Sequence, residues 1–218
     1  SSARSAGANA FWTTDLAVMN AGSQPASVTL KFLGHGGSGA AGPERTFTVP
    51  ARSTVTWPDV LSSVFGLGTD WGPILIRSTG TSLVAQGQTW TASPSGGTYG
   101  QSVPAIGPSD AVGPTPKALA GVRQDSRFRT NIALANFGET QVDATLLVLR
   151  PDGTTVNTRA VTVGPLAFVQ LNLANDFGIT NLNGGSVLLS CSPATCQIGA
   201  YASVIDSTTA DPRTILPR

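Results

Sequence analysis

Residues 10–33, AFWTTDLAVMNAGSQPASVTLKFL, return without a gap as residues 126–149, SRFRTNIALANFGETQVDATLLVL. Of these 24 aligned pairs 7 are identical: Thr14/Thr130, Ala17/Ala133, Asn20/Asn136, Gly22/Gly138, Thr29/Thr145, Leu30/Leu146 and Leu33/Leu149. A repeat this long decides the architecture before any motif is weighed. In 218 residues it leaves two modules of about a hundred residues each, a size at which one chain segment can bury its own core.

Within each copy the apolar residues alternate. Leu16 and Val18, then Val28, Leu30 and Phe32, are spaced at period two on either side of Asn20-Ala-Gly-Ser-Gln-Pro. That spacing predicts two half-buried strands joined by a hairpin or by a corner between sheets. Further short runs follow at 45–49, 53–57, 74–77, 83–90 and 101–105, with Asp59 placed to cap one short helix that ends near Gly66. The expected fold is all-β: two tandem immunoglobulin-like β-sandwich domains with at most one short helix each. The first spans residues 1–106 and the second 118–218. Between them GPSDAVGPTPK, residues 107–117, holds three prolines and predicts a stiff extended linker.

These motifs together resemble an uncharacterised family of secreted bacterial modules that occur in tandem pairs. The resemblance rests on the openings Trp12-Thr-Thr-Asp-Leu16 and Phe128-Arg-Thr-Asn-Ile132, the corners Asn20-Ala-Gly22 and Asn136-Phe-Gly138, and the endings Val103-Pro104 and Leu216-Pro217. It implies a β-sandwich and export from the cell, and it carries no catalytic residue to transfer.

Charge narrows the partners. Lys, Arg, Asp and Glu make up 11% of the chain, less than half the usual share of about 25%, and the net charge is +1. Nucleic acid and anionic membrane both require clustered basic residues, and here these are scattered. No apolar run reaches the roughly 20 residues of a membrane span. A nearly neutral surface has little self-repulsion to keep copies of the chain apart, so other copies are an expected partner.

Cys191 and Cys196 flank Ser-Pro-Ala-Thr between two apolar runs, which places them across the mouth of a hairpin at a separation a disulfide can bridge. A structural disulfide implies an oxidising compartment, secreted or at the cell surface. The alternative is a pair of free thiols.

Catalytic chemistry has little to build on. His35, beside Gly36-Gly-Ser-Gly, is the single histidine; the run comes close to a nucleophile elbow, but that motif needs a strained strand-to-helix turn. Most carboxylates sit in turn contexts where they bond local backbone. Asp15 returns as Asn131 and Asn20 as Asn136, so a structural task shared by both modules is expected at each. Calcium through Asp15 or through Asp206 and Asp211 lacks the alternating acidic ladder of a loop site. No catalytic residue, cofactor or metal is therefore expected.

All four tryptophans lie in the first repeat. Trp12 aligns with Phe128, Trp57 with Leu171 and Trp90 with Val204, so these three are expected in the core. Trp71 aligns with Asn183 or Gly184 and is the candidate contact for a ligand or partner. The expected role is a non-enzymatic extracellular structural protein that self-associates, as a filament subunit would, through β-strand addition. Residues 1–7 lack the large apolar side chains of Lys117–Arg123, which they face in the alignment. Either another copy completes the first sandwich, or those residues pair by backbone alone, or a longer precursor supplies the strand. The alternative role is a cell-surface adhesion or carbohydrate-binding module whose partner is a glycan or a surface protein.

Overall fold

The computed structural model describes residues 2–7, 10–79, 82–93 and 95–218. They fall into two compact units, Ser1–His35 with Gly39–Ala105 and Gly36–Ser38 with Ile106–Arg218. Both are all-β sandwiches, each with one short α-helix among the described residues.

The second unit is the more regular. Its strands are β10 (Lys117–Gln124), β11 (Phe128–Asn136), β12 (Val142–Leu149), β13 (Thr155–Val163), β14 (Phe168–Asn172), β15 (Leu182–Ser192), β16 (Ile198–Asp206) and β17 (Pro212–Ile215), with α2 (Leu173–Phe177) after β14. Two antiparallel sheets form, in the orders β10-β15-β12-β13 and β14-β11-β16-β17. Period-two alternation sends Ala144, Leu146 and Val148 from β12, Val187 and Leu189 from β15 and Leu119 from β10 to one core. There they join Ile132 and Leu134 from β11 and Ile198, Ala200 and Ala202 from β16. The helix α2 is capped by Asn172, whose side chain accepts from the backbone of Ala174 and Asn175, and Gly178 closes it in the left-handed region.

The first unit repeats the plan with β1 (Ser2–Gly7), β2 (Ala10–Asn20), β3 (Ala26–Phe32), β4 (Glu44–Val49), β5 (Ser53–Trp57), α1 (Val60–Ser63), β6 (Asp70–Gly72), β7 (Ile74–Ser78), β8 (Leu83–Ala92) and β9 (Thr98–Pro104). One sheet carries β2 between β5 and β8, with β9 outside β8; the other runs β4-β3-β7. Here β1 bridges from β2, through Ser5–Trp12 pairing, to β6, through Ser2–Gly72 pairing.

Of the alternatives for the opening residues, residues 2–7 follow the one in which they pair by backbone within this chain, and the buried Ser2 hydroxyl, which donates to the Gly72 carbonyl oxygen at 2.8 Å, adds to that pairing. Several other expectations need correction. Residues 107–117 are not an extended spacer. Val112 is wholly buried in the second core, and its N–H and C=O exchange hydrogen bonds with Ile198 at 2.9 and 3.0 Å. The cysteines do not staple a hairpin, because β15 and β16 belong to different sheets; the bridge spans a crossing between them. Asp59 does not cap α1 with its side chain, which pairs with Arg4 at 2.9 Å.

The corner motif is the same device in both units. Asn20, buried, donates through Nδ2 to the carbonyls of Gln24, Val49 and Pro50, and its Oδ1 accepts from Gly22 N at 2.9 Å. Asn136 donates to Thr140, Val163 and Gly164, and accepts from Gly138 N at 2.9 Å. A Cβ on Gly22 would stand 3.0 Å from the Asn20 Oδ1, and one on Gly138 would stand 3.2 Å from that of Asn136. This is the physical reason for the Asn-x-Gly spacing: one side chain ties the strand end to the next connection and crowds any Cβ two residues on.

Candidate partner-binding edge

Matching the two units strand by strand shows where they differ. The pairing of Leu30 with Ile76 corresponds to that of Leu146 with Leu189, so β6 and β7 together occupy the place of the single long strand β15. Ile74 stands at Val187, Ile76 at Leu189 and Gly72 at Gly185. Ala3 corresponds to Arg123, because Thr14 Oγ1 accepts from Ala3 N just as Thr130 Oγ1 accepts from Arg123 N. Ser2 therefore takes the place of Val122.

That correspondence locates an incomplete edge. In the second unit β10 runs along β15 from Lys117, opposite Leu189, to Gln124, opposite Leu182. In the first, β1 covers only Asp70–Gly72. Beyond Pro73, β3 is the sole strand paired with β7 among the described residues. The consequence shows in burial: Val187 and Leu189 are 0% exposed, whereas Ile74 and Ile76 are only partly buried against their core.

The polar side of this edge follows from strand alternation. Leu33 N donates to Pro73 O and Thr79 N to Ser27 O, so residues 73, 75, 77 and 79 turn their backbone groups to β3. The N–H and C=O of Ile74 and Ile76 turn the other way, to the uncovered side. Pro73, lacking an N–H, therefore costs this edge no donor. An edge of Ile, Leu and Ile whose outward backbone groups face no strand among the described residues, and which carries a single charge, Arg77, lacks the carboxylates, lysines or bulges that usually discourage pairing.

Trp71 lies at the end of the same edge. It is half-buried, in β6 opposite Ala3, and its indole stacks on the His35 ring with centroids 4.2 Å apart and planes 16° from parallel. Asp70 Oδ1 holds His35 Nδ1 at 2.9 Å and accepts from Trp71 N at 2.7 Å. Gly72, with φ of 153°, brings the strand against this loop: a Cβ there would lie 2.5 Å from Gly34 O. Sequence reasoning separated His35 from Trp71; the two form one stack, which takes one face of the indole.

The other tryptophans are also half-buried, so the expected contrast between a core set and Trp71 is absent. Trp57 packs on Phe47 at 4.9 Å, and Trp90 donates from Nε1 to Asp15 Oδ2 at 2.9 Å. The strand register places Thr89, not Trp90, at Val204, since Thr14 faces Thr89 and Thr130 faces Val204. Trp90 thus corresponds to Ile205, which is likewise only partly buried. Asp15 uses its second oxygen, Oδ1, to accept from Asp59 N, and Asn131 accepts from Asn172 Nδ2 at the same turn of the second unit.

Cys191 and Cys196 form a disulfide with Cα atoms 6.0 Å apart. A cleft of about 540 Å³ in the second unit is lined by Arg123, Phe128, Asp206, Asp211 and Arg213 among others. Its charged groups are largely engaged: Arg123 with Asp125, Arg127 with Asp206, and Arg213 with the Gly121 carbonyl. The Thr208 N–H, then Arg127 and the Thr209 N–H, hold Asp206 below the ordinary carboxylate range. Among the described residues no group of three or more His, Cys, Asp or Glu side chains could hold a metal ion. No helix among them is long and apolar enough to cross a membrane.

No protein-family model matches the chain, and no curated protein does. Among solved structures it is similar to a chain of "Structure of infectious bursal disease virus Gt strain", at 14% identity and a TM-score of 0.25. The match covers 93% of this chain and 59% of that one, so this chain spans less than two thirds of its length. At that score the likeness carries no argument about fold or function.

Proposed function

We propose that this protein is a non-enzymatic, extracellular structural protein whose copies associate through sheet edges, as subunits of a filament do. The observation that supports this most directly is the uncovered side of β7, where Ile74 and Ile76 are partly exposed although their counterparts in the second unit are fully buried. Unpaired strand edges recruit strands, and a chain with net charge +1 offers little repulsion to oppose it. The disulfide agrees with an oxidising, extracellular setting. If donor and acceptor lie at different places on the subunit, association propagates head to tail. Sedimentation velocity over a concentration series, with negative-stain microscopy, tests this. Larger species should grow with concentration and be lost in Ile76→Lys; a monomer at every concentration overturns the proposal.

The second reading is a cell-surface adhesion or carbohydrate-binding module, favoured by Trp71 held beside His35 at the end of that edge. Retention on a glycan array that disappears in Trp71→Ala would replace the first reading with this one.

A further inference from the structure

We infer that the open side of β7 is an acceptor for an extended peptide segment of polar–small–leucine–small pattern, the leucine entering between the two sheets of the first unit. The inference rests on the reading above, that this edge is where the protein associates, and it specifies the chemistry of what the edge receives. The second unit supplies the template. There Lys117, Ala118, Leu119 and Ala120 lie opposite Leu189, Leu188, Val187 and Ser186, and Leu119 is 0% exposed. Carried over, those four places face Ile76, Leu75, Ile74 and Pro73. The first and third face the residues whose backbone groups point outward, so two residues of the incoming segment would exchange hydrogen bonds with Ile76 and Ile74, while the second and fourth face backbone already committed to β3.

Side chains fix the pattern further. The leucine place lies opposite partly buried Ile74, next to Ile76, and both pack against a core that includes Phe32 and Phe65. Its neighbours are small in the template, Ala118 and Ala120, the latter exposed. After the fourth residue the template needs one bulged residue: the register slips between Ala120 and Val122, and Gly121 takes φ of 84°. Ser2, at the place of Val122, follows at once. The acceptor carried over from the template is therefore four residues long and closed at one end by β1, and its segment runs antiparallel to β7 as β10 runs to β15.

The test installs the segment on the full chain. Lys-Ala-Leu-Ala is placed directly ahead of Ser1 with Ser1→Gly, so that a glycine follows the four residues as Gly121 follows Ala120 in the sequence, and a control carries Lys-Ala-Asp-Ala instead. The leucine form should raise the melting temperature of the first unit by about 5 °C or more over the control. It should also slow amide exchange at Ile74 and Ile76 by about a hundredfold. Equal behaviour of leucine and aspartate forms, or unchanged exchange at both isoleucines, overturns the inference. So does protection of Ile74 and Ile76 that rises with concentration in the unmodified chain and gains nothing from the extension, since β7 would then be pairing with a second β7. Should the unmodified chain remain monomeric while the leucine form gains stability, self-association fails and the acceptor stands.

Discussion

Asn20 donates from its side-chain amide to the Val49 carbonyl, 29 residues ahead, at 3.1 Å inside the first sandwich. Because the same side chain also holds Gln24 O, Pro50 O and Gly22 N, its removal strands several polar groups at once. Asn136 stands in the same relation to Val163. Asn20→Ala and Asn136→Ala should each cost about 2–4 kcal/mol, since buried groups left unsatisfied forfeit their solvation. Asn136→Asp should cost no less, because a carboxylate cannot donate to the three carbonyls. Denaturant unfolding checks both. The four tryptophans lie in the first unit, so indole fluorescence follows Asn20→Ala, whereas amide exchange is needed for Asn136.

Trp90→Phe keeps most of the apolar contact and deletes the bond to Asp15 Oδ2. The expected cost is about 1–3 kcal/mol, the range for a hydrogen bond to a charged acceptor. Asp15→Ala should cost more, because it also releases Asp59 N at the start of α1. A double-mutant cycle in which the two changes simply add would show that the bond contributes nothing.

Reduction of Cys191–Cys196 should lower the stability of the second unit by roughly 2 kcal/mol, the chain-entropy estimate for a loop this short. The unit should remain folded, because 20 other core residues do not depend on the bridge. Intact-mass analysis after alkylation of the non-reduced protein should find no reactive thiol, and denaturant melts with and without reductant give the cost.

Acid should weaken the second unit through three carboxylates. Asp125 is held below the ordinary carboxylate range first by Arg123, then by the Phe128 and Arg127 N–H groups. Asp152 is lowered by the Thr154 N–H and hydroxyl, and Asp206 by the Thr208 N–H ahead of Arg127. A carboxylate whose folded pKa lies below its unfolded value stabilises fully above the unfolded pKa and loses that contribution as pH falls through the folded one. Urea midpoints of the second unit should therefore drop from about pH 5 towards pH 2. Asp206→Asn should flatten the dependence; an unchanged slope would remove Asp206 from the account.

The repeat made the two units and their sandwich character legible, and the alternation of Leu16, Val18, Val28 and Leu30 marked the strands that line the first core. Alternation says that a segment is a strand but not which sheet it joins, so the crossing between β15 and β16 looked like a hairpin. The strand β1 was hidden because Ser2, Ala3 and Ser5 pair through backbone and bury almost no apolar surface. Val112 was hidden by the prolines around it, although one valine bonded to Ile198 through both backbone groups is enough to pin a segment to a core. Asp59 had the right place for a cap and lost it to Arg4, 55 residues away in sequence. The open edge had a trace in the sequence, three consecutive apolar residues at Ile74–Ile76. Only comparison with the covered strand β15 shows that among the described residues no strand lies on their outer side.

The burial of Val112 also fixes where this chain can be divided. A fragment starting at Lys117 would leave behind the residue that bonds Ile198 on both its backbone groups, together with Gly113, whose carbonyl receives Cys191 N. Dissection at the proline-rich stretch would thus wound the second unit, whereas a cut between Ala105 and Ile106 severs neither bond set. A protease offered the native chain should accordingly spare Val112 and Gly113, and the prolines on either side mark the margin of a folded body.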